Sequence, residues 1–242
     1  YNGFDTGLNL NLSGKLRDLG VIGVPQDFLP LDDPRYHTEA KHQYWRYGQK
    51  ILAAAEIIRS DPRLYGIFIT NFGCGPDSFI LHFFRDLMRS KPYLEIEIDE
   101  HSSDVGAVTR LEAFLDSLKN VKVPEGSQSL LTFRGRKPVE NRRKVYIPAM
   151  ADQARPLAAA FRACGVNAEA LPKSDNETLV LGRQLTSGKE CYPAILTTGD
   201  LAKLVRKPDF DPDRTAFFMP AAYGPCRFGQ YHRFQRLALD EM

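Results

Sequence analysis

Residues 66–77 read Gly66-Ile67-Phe68-Ile69-Thr70-Asn71-Phe72-Gly73-Cys74-Gly75-Pro76-Asp77, and this stretch decides the fold class. It begins with a short apolar run rich in β-branched and aromatic side chains, which predicts a buried strand. The glycines and the proline that follow predict a tight turn. An apolar helical pattern then covers 78–90. A strand, a turn and a helix in this order are typical of a βα unit in a parallel sheet.

The same alternation continues on both sides of this unit. Upstream, apolar spacing predicts a helix over 8–19, a short strand over 21–25 and a long helix over 37–59. Downstream, it predicts a strand over 93–98 and a helix over 105–118. We therefore expect a first α/β domain over residues 1–118.

Residues 119–144 differ in composition from both flanks. They are polar, basic and short of core-forming side chains, as in Arg134-Gly135-Arg136-Lys137-Pro138. This composition predicts an exposed linker. A site for an anionic partner is the alternative, and a solvated tether is favoured because charge runs are usually solvated.

Alternating strands and helices restart after the linker and predict a second α/β domain over 145–242. We expect strands over 145–148, 167–171 and 215–220, and helices over 153–164, 177–185, 194–206 and 230–241. The predicted fold class is α/β, with two Rossmann-like or flavodoxin-like units and mainly parallel sheets. The alternation stops early in the second unit, so we expect that unit to be truncated. The chain opens without methionine and closes in a helical pattern, so we expect it to be cut from a longer polypeptide.

Composition limits the classes of partner. The 242 residues carry a net charge of +2, from 32 basic and 30 acidic residues. This balance gives no bias towards nucleic acid or an anionic membrane surface. No apolar run reaches membrane-spanning length and no signal peptide is recognisable, so we expect a cytoplasmic protein with neither nucleic-acid nor membrane partners. The four cysteines lack paired CxxC spacing, which argues against a disulfide scaffold and a structural zinc site.

Three cysteines occupy one kind of position, a glycine- or proline-bearing turn that leads into a helix: Cys74, Cys191 and Cys226. In open α/β sheets such turns lie at the carboxyl ends of strands, where ligands usually bind. A helix N-terminus lowers the pKa of a thiol and favours its metal-bound form. Soft thiolates with wide spacing suit an iron–sulfur cluster better than zinc. Inert burial of all three thiols is the alternative.

Neighbouring residues strengthen the cluster hypothesis. Gly73 and Gly75 let the backbone approach a bulky ligand and donate N–H groups to its sulfides. Arg227 lies beside Cys226 and is suited to stabilising a thiolate or an anionic cluster. Cys164 near a helix end is interpreted instead as a buried structural residue.

His101 follows a predicted strand and is a candidate acid, base or ligand. Helix capping is the competing role in this segment, and Ser102, Ser103 and Asp104 are suited to it. Asp77 and Ser78 are likewise predicted to cap the helix after Cys74.

Seven segments carry a resemblance to a known family. They are Asn71-Phe72-Gly73-Cys74-Gly75-Pro76-Asp77-Ser78-Phe79, Asp99-Glu100-His101-Ser102-Ser103-Asp104-Val105-Gly106, Thr109-Arg110-Leu111-Glu112-Ala113-Phe114, Gly188-Lys189-Glu190-Cys191-Tyr192-Pro193, Thr198-Gly199-Asp200, Phe217-Phe218-Met219-Pro220 and Gly224-Pro225-Cys226-Arg227-Phe228-Gly229-Gln230-Tyr231. These motifs resemble the large activator proteins of (R)-2-hydroxyglutaryl-CoA dehydratase, which join an ATPase module to dehydratase-like cluster domains. The resemblance covers nearly the whole chain. It implies Rossmann-like or flavodoxin-like domains whose cysteines hold a 4Fe–4S or double-cubane cluster. The implied chemistry is low-potential electron transfer driven by ATP hydrolysis, and the implied partners are the remaining segments of the polypeptide, including the ATPase module, and a dimer partner.

Two departures from the family pattern matter. The chain has neither the phosphate-binding glycine motif of an actin-like ATPase nor a Walker A sequence, so we do not expect it to hydrolyse ATP. In related dehydratase subunits one cluster draws two cysteines from one domain and one from the next. Here Cys191 and Cys226 look like the pair and Cys74 like the single ligand, in reversed order. We therefore expect their missing partners to lie upstream of Tyr1 and beyond Met242, and the isolated chain to bind no complete cluster and to be inactive.

Two other function classes stay open. A structural or docking module without its own redox centre would expose a large apolar face. A small-molecule-binding protein whose two halves close on a ligand would have a similar two-lobed architecture, although the free thiols and the lack of a signal peptide argue against it.

Overall fold

A computed structural model describes residues 5–99, 101–119, 121 and 143–242. The chain divides into two compact units, Tyr1–Leu131 and Thr132–Met242. Each unit contains a small, wholly parallel sheet and several helices, which confirms the predicted α/β fold class. The predicted basic linker lies almost entirely outside the described residues. Among those residues, no helix is both long enough and apolar enough to cross a membrane.

Unit 1 is built on two parallel strands, β1 (Gly66–Thr70) and β2 (Tyr93–Glu97), paired in register from Gly66 opposite Tyr93 to Thr70 opposite Glu97. Its helices are α1 (Leu12–Asp18), α2 (Arg46–Ser60), α3 (Asp77–Leu87) and α4 (Asp104–Leu118). Short 3-10 helices cover Gln26–Phe28, Pro34–Tyr36 and Ala40–His42.

Helices cover both faces of this sheet. On one face, α1 and α4 form an apolar cluster with β2 that includes Leu12, Leu16, Ile96, Ile98, Ala107 and Leu111. On the other face, the Phe84 ring of α3 meets the rings of Phe68 and Tyr93 edge-on, at 5.1 and 5.2 Å between centroids. Successive side chains of a strand point to opposite faces, so β1 is packed from both sides.

Two predictions for the start of unit 1 were wrong. Residues 21–25 form no strand, and Val21, Ile22 and Val24 are 37%, 87% and 52% exposed. The helix expected over 37–59 begins only at Arg46.

Unit 2 contains three parallel strands in the order β4-β3-β5, where β3 is Lys144–Ile147, β4 is Ala168–Ala170 and β5 is Thr215–Phe217. Its helices are α5 (Ala154–Ala163), α6 (Asn176–Gln184), α7 (Tyr192–Val205) and α8 (Tyr231–Asp240), and a 3-10 helix covers Arg227–Gln230. The first strand lies between the second and the third, which is how a flavodoxin-like sheet begins. The reversal of strand order creates a switch point at the carboxyl ends of β3 and β5.

The helices of unit 2 are fixed by close contacts. A Cβ at Gly182 would lie 2.1 Å from the carbonyl oxygen of Ile195, so α6 and α7 meet backbone to backbone. Between α7 and α8, the Gln235 side-chain amide donates to the Thr197 hydroxyl at 2.9 Å. These contacts hold α7 against α6 and α8.

Candidate functional site

In unit 1, a loop over 71–76 places Cys74 at the carboxyl end of β1, as predicted. The Cys74 side chain is exposed, and its backbone N–H donates to the Asn71 carbonyl at 3.0 Å. Phe72, Gly73 and Gly75 all have left-handed backbones, with φ of 58°, 58° and 61°. Nothing lies within 4 Å of a Cβ built at Gly75, so its backbone angle, not lack of space, favours glycine there.

The predicted caps of α3 were wrong. The N-cap residue is Pro76, which makes no side-chain capping bond. The Asp77 carboxylate accepts a hydrogen bond from the Thr70 hydroxyl at 2.7 Å, and the Ser78 hydroxyl donates to the Gly75 carbonyl at 2.8 Å. Burial raises the pKa of Asp77 above its ordinary value. The two bonds tie the end of β1 and the Cys74 loop to the first turn of α3.

His101 follows β2 and is exposed. Its backbone N–H and the Ser102 hydroxyl both donate to Asp99 Oδ1, at 2.9 Å each. Ser103 is the N-cap of α4 and accepts from the Gly106 N–H at 3.3 Å, which confirms the capping prediction for this serine. Because β1 and β2 are parallel neighbours, the His101 turn and the Cys74 loop lie at the same edge of the sheet.

In unit 2, Cys191 lies at the N-terminus of α7 and is half-buried. It follows helix α6 and not a strand, so the prediction of a strand end fails for this cysteine. Its sulfur lies 2.6 Å from the hydroxyl oxygen of Tyr231, the first residue of α8. Tyr231 is 4% exposed. Pro193 in the first turn of α7 suits the start of a helix, and Cys191 is its N-cap residue without a side-chain capping bond.

The segment that bears Cys226 leads directly to the same tyrosine. It is exposed, follows β5, and precedes the 3-10 helix that runs into α8. Burial, the hydrogen bond with Cys191 and the charges of Cys191 and Cys226 raise the pKa of Tyr231 above its ordinary value. The structure therefore brings the segments that bear the two cysteines together near Tyr231.

Arg227 joins the two cysteine-bearing segments. Its guanidinium donates to the Lys189 carbonyl at 3.4 Å, and its positive charge opposes the rise in the pKa of Tyr231. We name the group of Cys191, Cys226, Arg227 and Tyr231 the Cys191–Tyr231 site. Cys74, Gly73, Gly75 and His101 belong to unit 1.

The loop before Cys191 is ordered by its own side chains. The Ser187 hydroxyl and backbone N–H both donate to Glu190 Oε1, at 2.9 and 3.1 Å. Glu190 is 6% exposed, and Gln230 and Arg233 near Cys226 are 1% and 4% exposed. Buried polar side chains therefore flank both cysteines along the chain, and sequence reasoning did not single them out.

Cys164 lies at the C-cap of α5 and is exposed, so the interpretation of it as a buried residue was wrong. The buried face of α5 consists of Ala154 and Ala158. Cys164 is one residue past the helix and is followed by Gly165, whose left-handed backbone turns the chain towards β4.

A cleft of about 480 Å³ lies at the carboxyl ends of β3 and β4. It is lined by residues 149–155 and by Ala170, Leu171, Lys173 and Ser174. Its rim carries an exposed ion pair, with Lys173 Nζ 3.5 Å from Asp152 Oδ1. No motif in the sequence indicated this cleft.

Groups of metal-ligating side chains were sought among the residues that the structure describes. Within residues 5–99, 101–119, 121 and 143–242, no group of three or more His, Cys, Asp or Glu side chains is arranged to hold a metal ion.

Comparisons with protein-family models, with curated proteins and with solved structures each find no match.

Proposed function

We propose that this chain is an iron–sulfur-binding component of an ATP-coupled, low-potential electron-transfer system related to the 2-hydroxyacyl-CoA dehydratase activators. In this proposal Cys191 and Cys226 are ligands of one cluster in a cytoplasmic protein. The observation that carries it is the approach of the two cysteine-bearing segments, which the Cys191–Tyr231 contact and the Arg227–Lys189 bond join although α7 and β5 separate them along the chain.

The donor set suits an iron–sulfur cluster. Thiolates are the usual ligands of such clusters, and Cys191 is the N-cap residue of α7. The Arg227 guanidinium supplies positive charge beside Cys226, which offsets the negative charge of two thiolates. A bound cluster would supply a one-electron carrier of low potential. The residues of this chain hold and orient it.

Two thiolates make an incomplete set of ligands for a 4Fe–4S cluster. Unit 2 offers no third side chain to the pair among its described residues. We propose that the remaining ligands come from other segments of a longer polypeptide or from a second copy of the chain. Cys74 serves a separate set, in which the left-handed Gly73 and Gly75 admit the ligand and His101 lies at the same sheet edge.

The experiment is anaerobic reconstitution of the longer native protein with iron and sulfide, followed by iron content and visible absorbance. Single Cys→Ser substitutions at 74, 191 and 226 should each lower the iron content. Cys164→Ser is the matched control, because it changes an exposed thiol outside both sites. Full iron content in the Cys191 and Cys226 variants would overturn the ligand assignment. A protein that takes up no iron would favour the docking module.

The cleft of unit 2 favours a second candidate function, the binding of a small acid. Open α/β sheets bind ligands at the carboxyl ends of their strands, and Arg155 and Lys173 line this cleft. Calorimetric titration with a panel of small carboxylates tests it. Arg155→Ala should weaken any binding that is observed, whereas Lys207→Ala, at an exposed position outside the cleft, should leave it unchanged.

A further inference from the structure

Tyr231 is packed in the core and also makes a polar contact that core packing does not require. Its ring packs edge-on against Phe228, with 5.3 Å between centroids, and the side chain is 4% exposed. Its hydroxyl oxygen lies 2.6 Å from the Cys191 sulfur, across 40 residues of sequence. An inert core position would be filled equally well by phenylalanine. The hydroxyl group is the part of this side chain that a packing role leaves unexplained.

The direction of this hydrogen bond depends on the state of Cys191. While the thiol carries its proton, either atom can donate. A cysteine that binds a metal has lost its proton, so only the Tyr231 hydroxyl can then donate. A tyrosine hydroxyl ordinarily titrates near about 10 and therefore carries its proton at neutral pH.

Other contacts fix the hydroxyl relative to the sulfur. The Gln235 amide on α8 donates to the Thr197 hydroxyl on α7, and Arg227 donates to the carbonyl of Lys189. Both bonds join the segment that bears Tyr231 to the segment that bears Cys191. The donor is thus in place before any ligand arrives, which is how outer-shell groups orient metal ligands.

We propose that Tyr231 is a positioning residue, which holds the Cys191 sulfur through an O–H···S hydrogen bond and thereby sets the reduction potential of the centre bound there. The effect on the potential rests on the proposed function, whereas the hydrogen bond is a property of this chain. Hydrogen bonds to the sulfurs of a cluster stabilise its reduced, more negative form and raise its potential. Loss of the hydroxyl should lower that potential.

The first arm of the test uses the chain without iron. With Cys74, Cys164 and Cys226 replaced by serine, Cys191 is the only thiol of the four. Its S–H infrared band should shift towards that of a non-bonded thiol in Tyr231→Phe. Tyr192→Phe is the matched control, since this neighbour of Cys191 is 55% exposed, and the band should stay in place. An unchanged band in Tyr231→Phe would overturn the proposal.

The second arm uses the iron-loaded longer protein. Tyr231→Phe should shift its midpoint potential to more negative values. Replacement of Tyr231 by 3,5-difluorotyrosine, a stronger donor of nearly the same shape, should shift the potential the opposite way, and this variant serves even if Tyr231→Phe folds poorly. Equal potentials in all three proteins would overturn the proposal. A longer protein that binds no iron would contradict the proposed function and, with it, the effect of Tyr231 on a reduction potential. The infrared measurement would still show whether the Tyr231 hydroxyl is hydrogen-bonded to the Cys191 sulfur.

Discussion

A side-chain carbon at Gly199 would lie 1.9 Å from the carbonyl oxygen of Thr178, so α7 and α6 cross with their backbones in contact. Because α7 begins at Tyr192, directly after Cys191, this crossing helps to place the Cys191 sulfur. The geometry of the Cys191–Tyr231 site therefore depends on a glycine that takes no part in its chemistry.

We expect Gly199→Ala to destabilise unit 2 by about 3 kcal/mol, the upper part of the usual range for overpacking, because its Cβ would meet rigid backbone. Urea unfolding measures the change. Gly106→Ala is the control, since a Cβ there meets only the Ser103 hydroxyl at 3.5 Å. Alanine in a helix is favoured over glycine by about 0.5–1 kcal/mol, so this variant should be slightly more stable than wild type. Equal stabilities for the two variants would contradict the close crossing.

We expect Lys91→Met to destabilise unit 1 by roughly 1–3 kcal/mol, the cost of leaving buried acceptors without a donor. Lys91 is 2% exposed, and its ammonium donates to the carbonyls of Ile58, at 2.6 Å, and Asp61. Lys41→Met changes an exposed lysine and should have almost no effect. Thermal unfolding of both variants distinguishes a buried structural ammonium from a surface charge.

The stability of unit 2 should depend on pH through Asp200. This carboxyl is 7% exposed, burial raises its pKa, and the Ser174 hydroxyl donates to it at 2.8 Å. The native state therefore binds the proton more tightly than the unfolded chain, whose aspartates titrate near about 3.9. As the pH falls through the raised native pKa towards that value, wild type should gain stability relative to Asp200→Asn.

Urea unfolding between neutral pH and pH about 4 checks this dependence. Ser174→Ala removes a hydrogen bond that lowers the Asp200 pKa. The variant should therefore widen the pH range over which stability rises as the pH falls. If the free energies of unfolding of wild type and Asp200→Asn changed with pH in parallel, the raised pKa of the buried Asp200 carboxyl would be contradicted.

Thiol labelling should distinguish Cys191 from the other cysteines. Cys74, Cys164 and Cys226 are exposed, whereas Cys191 is half-buried and hydrogen-bonded to Tyr231. We expect N-ethylmaleimide to modify the three exposed thiols first and Cys191 several-fold more slowly, as followed by mass spectrometry of peptides. Protection of Cys164 would restore the original interpretation of it as buried and contradict the structure.

Local sequence signals were sufficient where burial follows a simple pattern. The strand β1 has the predicted bounds, Gly66–Thr70, because a short apolar run between turn-forming residues has few other ways to be buried. The helix α4 was predicted within one residue at its start, since Ser103 caps it locally.

Long-range contacts determine the structure of the segments that sequence reasoning predicted wrongly. The Glu56 carboxylate in α2 accepts the backbone N–H of Glu39 at 2.8 Å, which favours a folded turn before α2 over a longer helix. Gln43 is extended, with φ −93° and ψ 138°, and separates that turn from the helix. Residues 21–25 have the β-branched composition of a strand, but no described strand pairs with them.

In the candidate site, too, local sequence indicated some residues, whereas others depend on long-range contacts. Glycine and proline around Cys74, Cys191 and Cys226 marked them from local sequence alone. Tyr231 went unrecognised because its partner lies 40 residues away and only the packing of α7 against α8 brings the two together.

The most direct test of the cluster assignment is electron paramagnetic resonance of the longer native protein, purified anaerobically and then reduced. The account predicts the signal of a reduced iron–sulfur cluster in wild type and in Cys164→Ser, and a lost or altered signal in both Cys191→Ser and Cys226→Ser. A wild-type signal that both of these substitutions leave unchanged, or a protein purified without iron, would contradict it.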